Sequence, residues 1–231
     1  MGEDSIIEFD SKRFTPYHYA ALSEGSKIIY KLIRMNLLEG KSSLFLKDFH
    51  KKVDYQKILV NVLNDSPIIF WASNALSISE NANGTTLFFF YNEMLSKKDQ
   101  YLRIIEDIAR KLHQKISSNS KTKYEYALGL HDFLATTVKY DYGSLGNTEY
   151  TGKVFSAAHS IIGPLINHKA VCEGISRAYT LLLSAANIKS TCVWGKILEN
   201  DELHAWNIVR FGHEWYHVDV TWDLSEDFLS H

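Results

Sequence analysis

HKAVCEGISRAYTLLLSAANI, residues 168–188, puts a cysteine at the entrance of an otherwise apolar helix, with Glu173 and Gly174 directly after it. A structural cysteine could stand anywhere along an apolar stripe. A nucleophile gains from that end, because the unpaired N–H groups and the helix dipole there stabilise a thiolate and lower the cysteine pKa. Three strand-like runs follow the helix: STCVWGKIL (190–198), LHAWNIVRF (203–211) and EWYHVDVTW (214–222). Helices first, then a helix feeding an antiparallel sheet, predict an α+β fold.

The turn between the last two runs decides what faces what. A two-residue turn at Phe211-Gly212 places His204 opposite Asp219. A turn at Gly212-His213, with glycine first as a type II′ turn prefers, places Asp219 opposite Trp206 and diagonal to His204. Both registers put His204 and Asp219 on one sheet face within side-chain reach; a three-residue loop with a bulge would not. A carboxylate behind an imidazole fixes its tautomer and steadies its charged form. An imidazolium in turn lowers the pKa of a neighbouring cysteine. Thioester chemistry therefore asks for Cys at a helix start, His on one strand and Asp on the next, and Cys172, His204 and Asp219 occur in that order. Taken singly, Cys172 reads as a small buried hydrophobe and His204 as structural. Asp219 in an apolar run needs a partner on any reading.

The chain has 231 residues, 45% hydrophobic and 23% charged, which suits a globular protein with a sizeable core. A net charge of -2 gives no electrostatic draw toward nucleic acid or an anionic membrane. Two cysteines, Cys172 and Cys192, cannot build a disulfide framework or a four-thiolate zinc site. His204, His213, His217 and Cys172 could serve as metal ligands, but His213 and His217 on one strand stand about 13 Å apart, too far for one zinc. No metal or other cofactor is expected, and no EF-hand-type loop is seen. The start, MGEDSIIEFD, lacks a basic region and an apolar core, so no signal peptide is expected and the cytoplasm is the default compartment, a trimmed secreted chain being the alternative. No apolar run suits membrane insertion.

Upstream, residues 19–39 read as an amphipathic helix stopped by Gly40, and residues 54–63 as a second helix ended by Ser66-Pro67. IIFWASNALSI and TTLFFFYNEM flank the turn-forming SENANG and predict a hairpin. Helices are expected over 96–116 and 124–138, separated by SSNSK. Residues 140–170 have no clear period and read as a long ordered loop of functional interest. Asn83-Gly84-Thr85 fits a glycosylation acceptor, of little weight without a secretory signal.

Three ordered blocks, AVCEGISRAYTLLLSAANI, HAWNIV and EWYHVDVTWD, resemble the bacterial transglutaminase-like superfamily. LHDFLATTVKYD resembles the helix that precedes its core, and LSEGSKIIYKLIRMNLLEG and NDSPIIFWASN its N-terminal extension, so the likeness runs over about residues 17–223. The resemblance implies a papain-like transglutaminase core, a central helix packed on an antiparallel sheet, over residues 119–231, with a helical and β-hairpin extension over residues 1–118. It also implies Cys172 as nucleophile, His204 as general base and acid, and Asp219 as the orienting carboxylate. The family includes transglutaminases, cysteine proteases, peptide N-glycanases and inactive relatives.

The chain departs from the family pattern at Gly212-His213, in place of an Asp-Gly turn, and in ending at His231, where relatives continue with more sheet; a truncated core with an exposed edge is the expectation. A protein or peptide substrate is implied, attacked by the Cys172 thiolate at a carbonyl, with water or an amine resolving the thioester. Hydrolysis is favoured, since no feature marks an amine site; a transglutaminase or a non-catalytic peptide or cell-wall binding module is the alternative. Around the three residues, Glu173 is expected to face solvent or to favour the helix start electrostatically, Gly174 to allow close packing of helix on sheet, and Trp206, Trp215 and Trp222 to form core or cleft walls. His131-Asp132 reads as a structural hydrogen-bonding pair, Cys192 as buried, Ser160 and Asn167 as candidate oxyanion or substrate contacts, and the acidic residues 199–202 as a solvated turn.

Overall fold

Ser23 begins the first long helix by accepting a hydrogen bond from the Ser26 N–H, and Gly40 ends it in the left-handed region at φ 71°. This is α1 (Glu24–Glu39), in the computed structural model, which describes residues 17–47, 53–145, 157–198 and 201–224. The cap at Ser23 shortens the helix expected over 19–39; Tyr17–Ala20 forms a separate single turn. The described residues divide into two compact units, one over residues 17–98 and one over residues 99–145, 157–198 and 201–224.

In the first unit Ile29, Ile33 and Leu37 recur every fourth residue along α1 and are fully buried, each worth about 1.5–3 kcal/mol over an exposed position. They pack toward α2 (Tyr55–Asp65), capped by Asp54. Three strands complete the unit: β1 (Ser43–Lys47), β2 (Ala72–Asn81) and β3 (Gly84–Tyr91), antiparallel in the order β1-β3-β2. The expected hairpin is present with its first strand shifted. Ile68, Ile69 and Phe70 precede β2 as buried residues outside the ladder. Trp71 then anchors the strand entrance by donating its Nε1–H to the Leu37 carbonyl at 3.0 Å.

The second unit holds α3 (Lys98–Ser117) from Asp99 onward, and α4 (Lys123–Thr137). A capping box starts α4: the Thr122 hydroxyl accepts from the Glu125 N–H, and Glu125 reaches back to the Thr122 N–H. Next, β4 (Lys139–Tyr140) pairs in parallel with β5 (Lys169–Ala170), so that Tyr140 lies beside Ala170. These pairs close the ends of the 140–170 loop, whose residues 146–156 lie outside the described residues.

The buried helix is α5 (Cys172–Ala185), followed by β6 (Ser190–Lys196), β7 (Leu203–Phe211) and β8 (Glu214–Val218), antiparallel in the order β6-β7-β8. The helix packs on β6 and β7. Asn207 Nδ2 donates to the Ser176 carbonyl and the Thr180 hydroxyl, both at 2.9 Å, and the Ser176 hydroxyl donates to the Ala205 carbonyl at 3.1 Å. On its other side, the Tyr179 hydroxyl donates to the Ala127 carbonyl of α4 at 3.0 Å. Residues 172–183 are buried all round, as a central helix requires. The α+β architecture expected from the sequence is present.

Candidate active site

The register of β7 and β8 sets the site. Asn207 pairs with Val218 and Phe211 with Glu214, which leaves Gly212-His213 as the two-residue turn. Gly212 alone of the two takes positive φ, 63°, as a type II′ turn asks of its first central residue. Of the two registers compatible with the sequence, this is the one that sets Asp219 diagonal to His204. Asp219 itself lies one residue past the end of β8 rather than within a strand running to 222. There the ladder has ended, and the Thr221 N–H donates to Asp219 Oδ1 at 3.1 Å, fixing the carboxylate.

His204 is buried, and its Nε2 lies 2.6 Å from Asp219 Oδ2. That leaves Nδ1 for the Cys172 thiol, the second neighbour that acts on the ring. Burial disfavours the charged ring, but the hydrogen bonds and charges of Asp219 and Cys172 outweigh it and raise the His204 pKa to about 9. Cys172 is the first residue of α5, after Val171 in extended conformation with no side-chain cap. Its own N–H therefore belongs to the unpaired donors of the helix start. The structure brings Cys172, His204 and Asp219 together, His204 being hydrogen-bonded to Asp219 and neighbouring Cys172.

Tyr140 joins them. It packs against Cys172, Cys192 and Ala205. Burial, then the neighbouring Cys172, pushes its pKa far up. The sequence carried Tyr140 inside LHDFLATTVKYD, but a two-residue parallel pairing has no periodicity by which to aim the side chain.

The tryptophans fall into two kinds. Trp206 stacks on His204 at 6.0 Å between centroids, and the Trp222 ring lies 5.8 Å from it on a tilt. Both are walls beside His204, with Trp222 mostly exposed. Trp206 Nε1–H donates to His217 Nδ1 at 2.7 Å. Trp215 is exposed opposite Arg210 on the next strand, away from a core role.

Glu173 corrects its expectation of a solvent-facing side chain. It is 5% exposed, with Arg177 NH2 at 2.7 Å from one oxygen and His159 Nδ1 at 2.9 Å from the other. Burial would raise its pKa, but Arg177 and His159 prevail and lower it. The buried Arg177 one turn along, rather than the helix dipole alone, decides its direction. Gly174 is also needed for close approach, though to a different neighbour than the sheet. A Cβ there would fall 2.2 Å from the Ala158 carbonyl oxygen of the Ala157–His159 turn.

Ser160 and Asn167 are not gathered at the thiol. The Ser160 hydroxyl donates to the Ala157 carbonyl and accepts from the Ile162 N–H, and Asn167 is exposed. His131 Nδ1 meets Asp132 at 3.0 Å, and its Nε2 meets Asp223 at 3.0 Å, a hydrogen-bonding role that ties α4 to the segment after Asp219. Cys192 is fully buried, and burial pushes its thiol up to about 12. Asp201 sits in the β6–β7 connection at φ 62°, paired with Lys196 Nζ at 3.0 Å. Among the described residues no helix is long and apolar enough to cross a membrane, and no three His, Cys, Asp or Glu side chains gather as a metal site.

Comparison with known proteins bears on the same unit. Residues 110–220 match the family described as the transglutaminase-like superfamily. Among solved structures, the chain is similar to one described as a TGase, with a TM-score of 0.40 and 13% identity, covering 78% of this chain and 50% of that one. It is also similar to a candidate cysteine protease from Cytophaga hutchinsonii, with a TM-score of 0.40 and 11% identity, covering 64% of this chain and 61% of that one. The chain thus spans only 50% and 61% of the lengths of these structures. No curated protein matches it. Residues 110–220, which contain Cys172, His204 and Asp219, belong to the transglutaminase-like superfamily.

Proposed function

We propose that the protein is a thiol acyl-transfer enzyme in which Cys172, His204 and Asp219 act as a triad on a peptide or amide bond. The observation that carries this reading is the position of His204, hydrogen-bonded to the Asp219 carboxylate by one ring nitrogen and neighbouring the Cys172 thiol. In the reaction, the Cys172 sulfur attacks the carbonyl carbon and the π pair moves to oxygen. As the pair returns, the C–N bond breaks and His204 delivers its proton to the departing amine, leaving a thioester. Water then resolves the thioester with His204 as base. Asp219 keeps the ring in the tautomer and orientation that both steps need.

Hydrolysis is the reading we favour over transfer to an amine, which would make the enzyme a transglutaminase. The first test is alkylation with iodoacetamide at pH 6. Cys172 should label far faster than the buried Cys192, and His204→Ala should abolish the difference. Equal, slow labelling of both thiols would leave a non-catalytic binding module as the better account. Peptide and glutamine acyl donors, offered with and without a primary amine, then separate hydrolysis from transamidation by the product formed.

A further inference from the structure

We propose that the Tyr140 hydroxyl is the side-chain donor for the oxyanion, serving the thiolate sulfur before attack and the substrate oxygen after it. This inference rests on the thiol acyl-transfer reading and adds a residue to it. The parallel pairing of β4 with β5 sets Tyr140 beside Ala170, two residues before Cys172. The phenol packs on the Cys172–Cys192–Ala205 cluster at the first residue of α5, and after burial Cys172 is the neighbour that most raises its pKa. Ser160 spends its hydroxyl on its own turn, and Asn167 is exposed, so neither offers a donor there.

The chemistry explains why one hydroxyl can serve twice. Before attack the negative charge is on sulfur, and the phenol O–H is there to donate to it. When the S–C bond forms, sulfur loses that charge and the carbonyl π pair places it on the substrate oxygen. The new oxyanion is bonded to the carbon that sulfur has just joined, so the two charge positions are neighbours. A rotation about the phenol C–O bond then redirects the hydrogen, and the Cys172 N–H, which has no partner within the helix, donates to the same oxyanion. Such donors act strongly because they are fixed before the charge develops. Burial keeps the phenol protonated and hence a donor at every pH where a thiolate–imidazolium pair exists.

Two electrophiles separate this role from simple thiolate support. Iodoacetamide alkylates sulfur by displacing iodide at a saturated carbon, so no oxyanion forms. p-Nitrophenyl acetate acylates the same sulfur through a tetrahedral oxyanion that collapses to a thioester and p-nitrophenolate, with no proton needed by the leaving group. In Tyr140→Phe, which keeps the ring and its packing, the acylation rate should fall about 10²-fold or more beyond any fall in alkylation. Loss of both rates by one factor, or of neither, overturns the proposal.

Should the Phe variant unfold in circular dichroism, incorporation of 3-fluorotyrosine at position 140 strengthens the donor without removing it. At pH 6 the ratio of acylation to alkylation should then rise, and an unchanged ratio overturns the proposal. If wild-type Cys172 reacts no faster than Cys192 with either reagent, the triad reading falls and this one with it. If Cys172 reacts selectively and only the Tyr140 variants behave as wild type, Tyr140 alone loses its role.

Discussion

His204 Nε2 and Asp219 Oδ2 are 2.6 Å apart, and against a burial that favours the neutral ring this contact, with the neighbouring Cys172, raises the imidazole pKa to about 9. The pair should govern the alkaline limb of activity. In the proposed reaction His204 carries the proton that releases the amine, so kcat/KM is expected to fall as pH rises through about 9. Asp219→Asn keeps the shape and removes the charge, one of the causes that raises the ring. The limb should move to lower pH, and activity should drop by about 10²–10⁴-fold. An alkaline limb unmoved in a full pH profile would separate Asp219 from His204.

The same shift ties stability to pH. A histidine raised on folding contributes stability that is complete below its unfolded value, about 6.5, and is lost as pH climbs through the folded one. Urea midpoints of the wild type should fall between roughly pH 6.5 and 9 from this source. In Asp219→Asn the fall should shrink. Equal slopes of midpoint against pH in the two proteins would contradict it.

How far the sequence could be read follows from where each signal resides. The His204–Asp219 relation was legible because a sheet has period two, and a glycine-first turn left few registers. The helix carrying Cys172 was legible from its apolar run and its end. Glu173 was not, because the partners that bury it are Arg177 on the next helical turn and His159 in an irregular segment, and a charged residue at a helix start reads as solvated by default. Strand β1 escaped because five residues between a helix and a second helix carry too short an alternation. The Ile68–Phe70 stretch reads as strand from the sequence because buried apolar residues look alike whether or not they join a ladder.

Glu173 and Arg177 form a pair with both side chains buried, and His159 shares the carboxylate. Removing one partner strands the other charge, so Glu173→Ala should destabilise by about 3–5 kcal/mol. The Glu173 pKa is lowered on folding. Its contribution is therefore present above the unfolded carboxylate value and is lost as pH falls through the lowered one. Chemical denaturation of the variant at neutral and at acid pH checks both parts, since the difference from wild type should narrow toward acid. A loss under 1 kcal/mol at neutral pH would mean that the cavity rehydrates and spares Arg177.

Gly174 lies where the helix start meets the backbone of the Ala157–His159 turn, and a methyl group would approach the Ala158 carbonyl oxygen to 2.2 Å. Backbone cannot swing aside as a side chain can. The turn must shift, and it also accepts the Val171 N–H at the Ala158 carbonyl, 3.1 Å away. Gly174→Ala should therefore cost about 1–3 kcal/mol or more and slow Cys172 alkylation, because Val171 precedes the thiol directly. Ser176→Ala, which removes a hydroxyl from the same helix without crowding the turn, should leave the alkylation rate nearer to wild type.

Gly195 stands directly opposite His204 in the β6–β7 register, and a Cβ there would come within 2.5 Å of Trp206 Cη2. The indole is held on two sides, stacked on His204 at 6.0 Å and hydrogen-bonded to His217 at 2.7 Å. It can yield to a methyl group only by leaving one of these contacts. Because the far end of a side chain moves more cheaply than backbone, Gly195→Ala should cost little stability, about 1 kcal/mol. Its effect should fall instead on the imidazole that Trp206 supports, since a misplacement of about 1 Å near a reacting group costs about 10²-fold in rate. Measured together, a urea midpoint near wild type with a strongly reduced acylation rate is the expected outcome. If the two losses scale with each other across Gly195→Ala and Gly195→Val, the glycine serves the sheet and not the site.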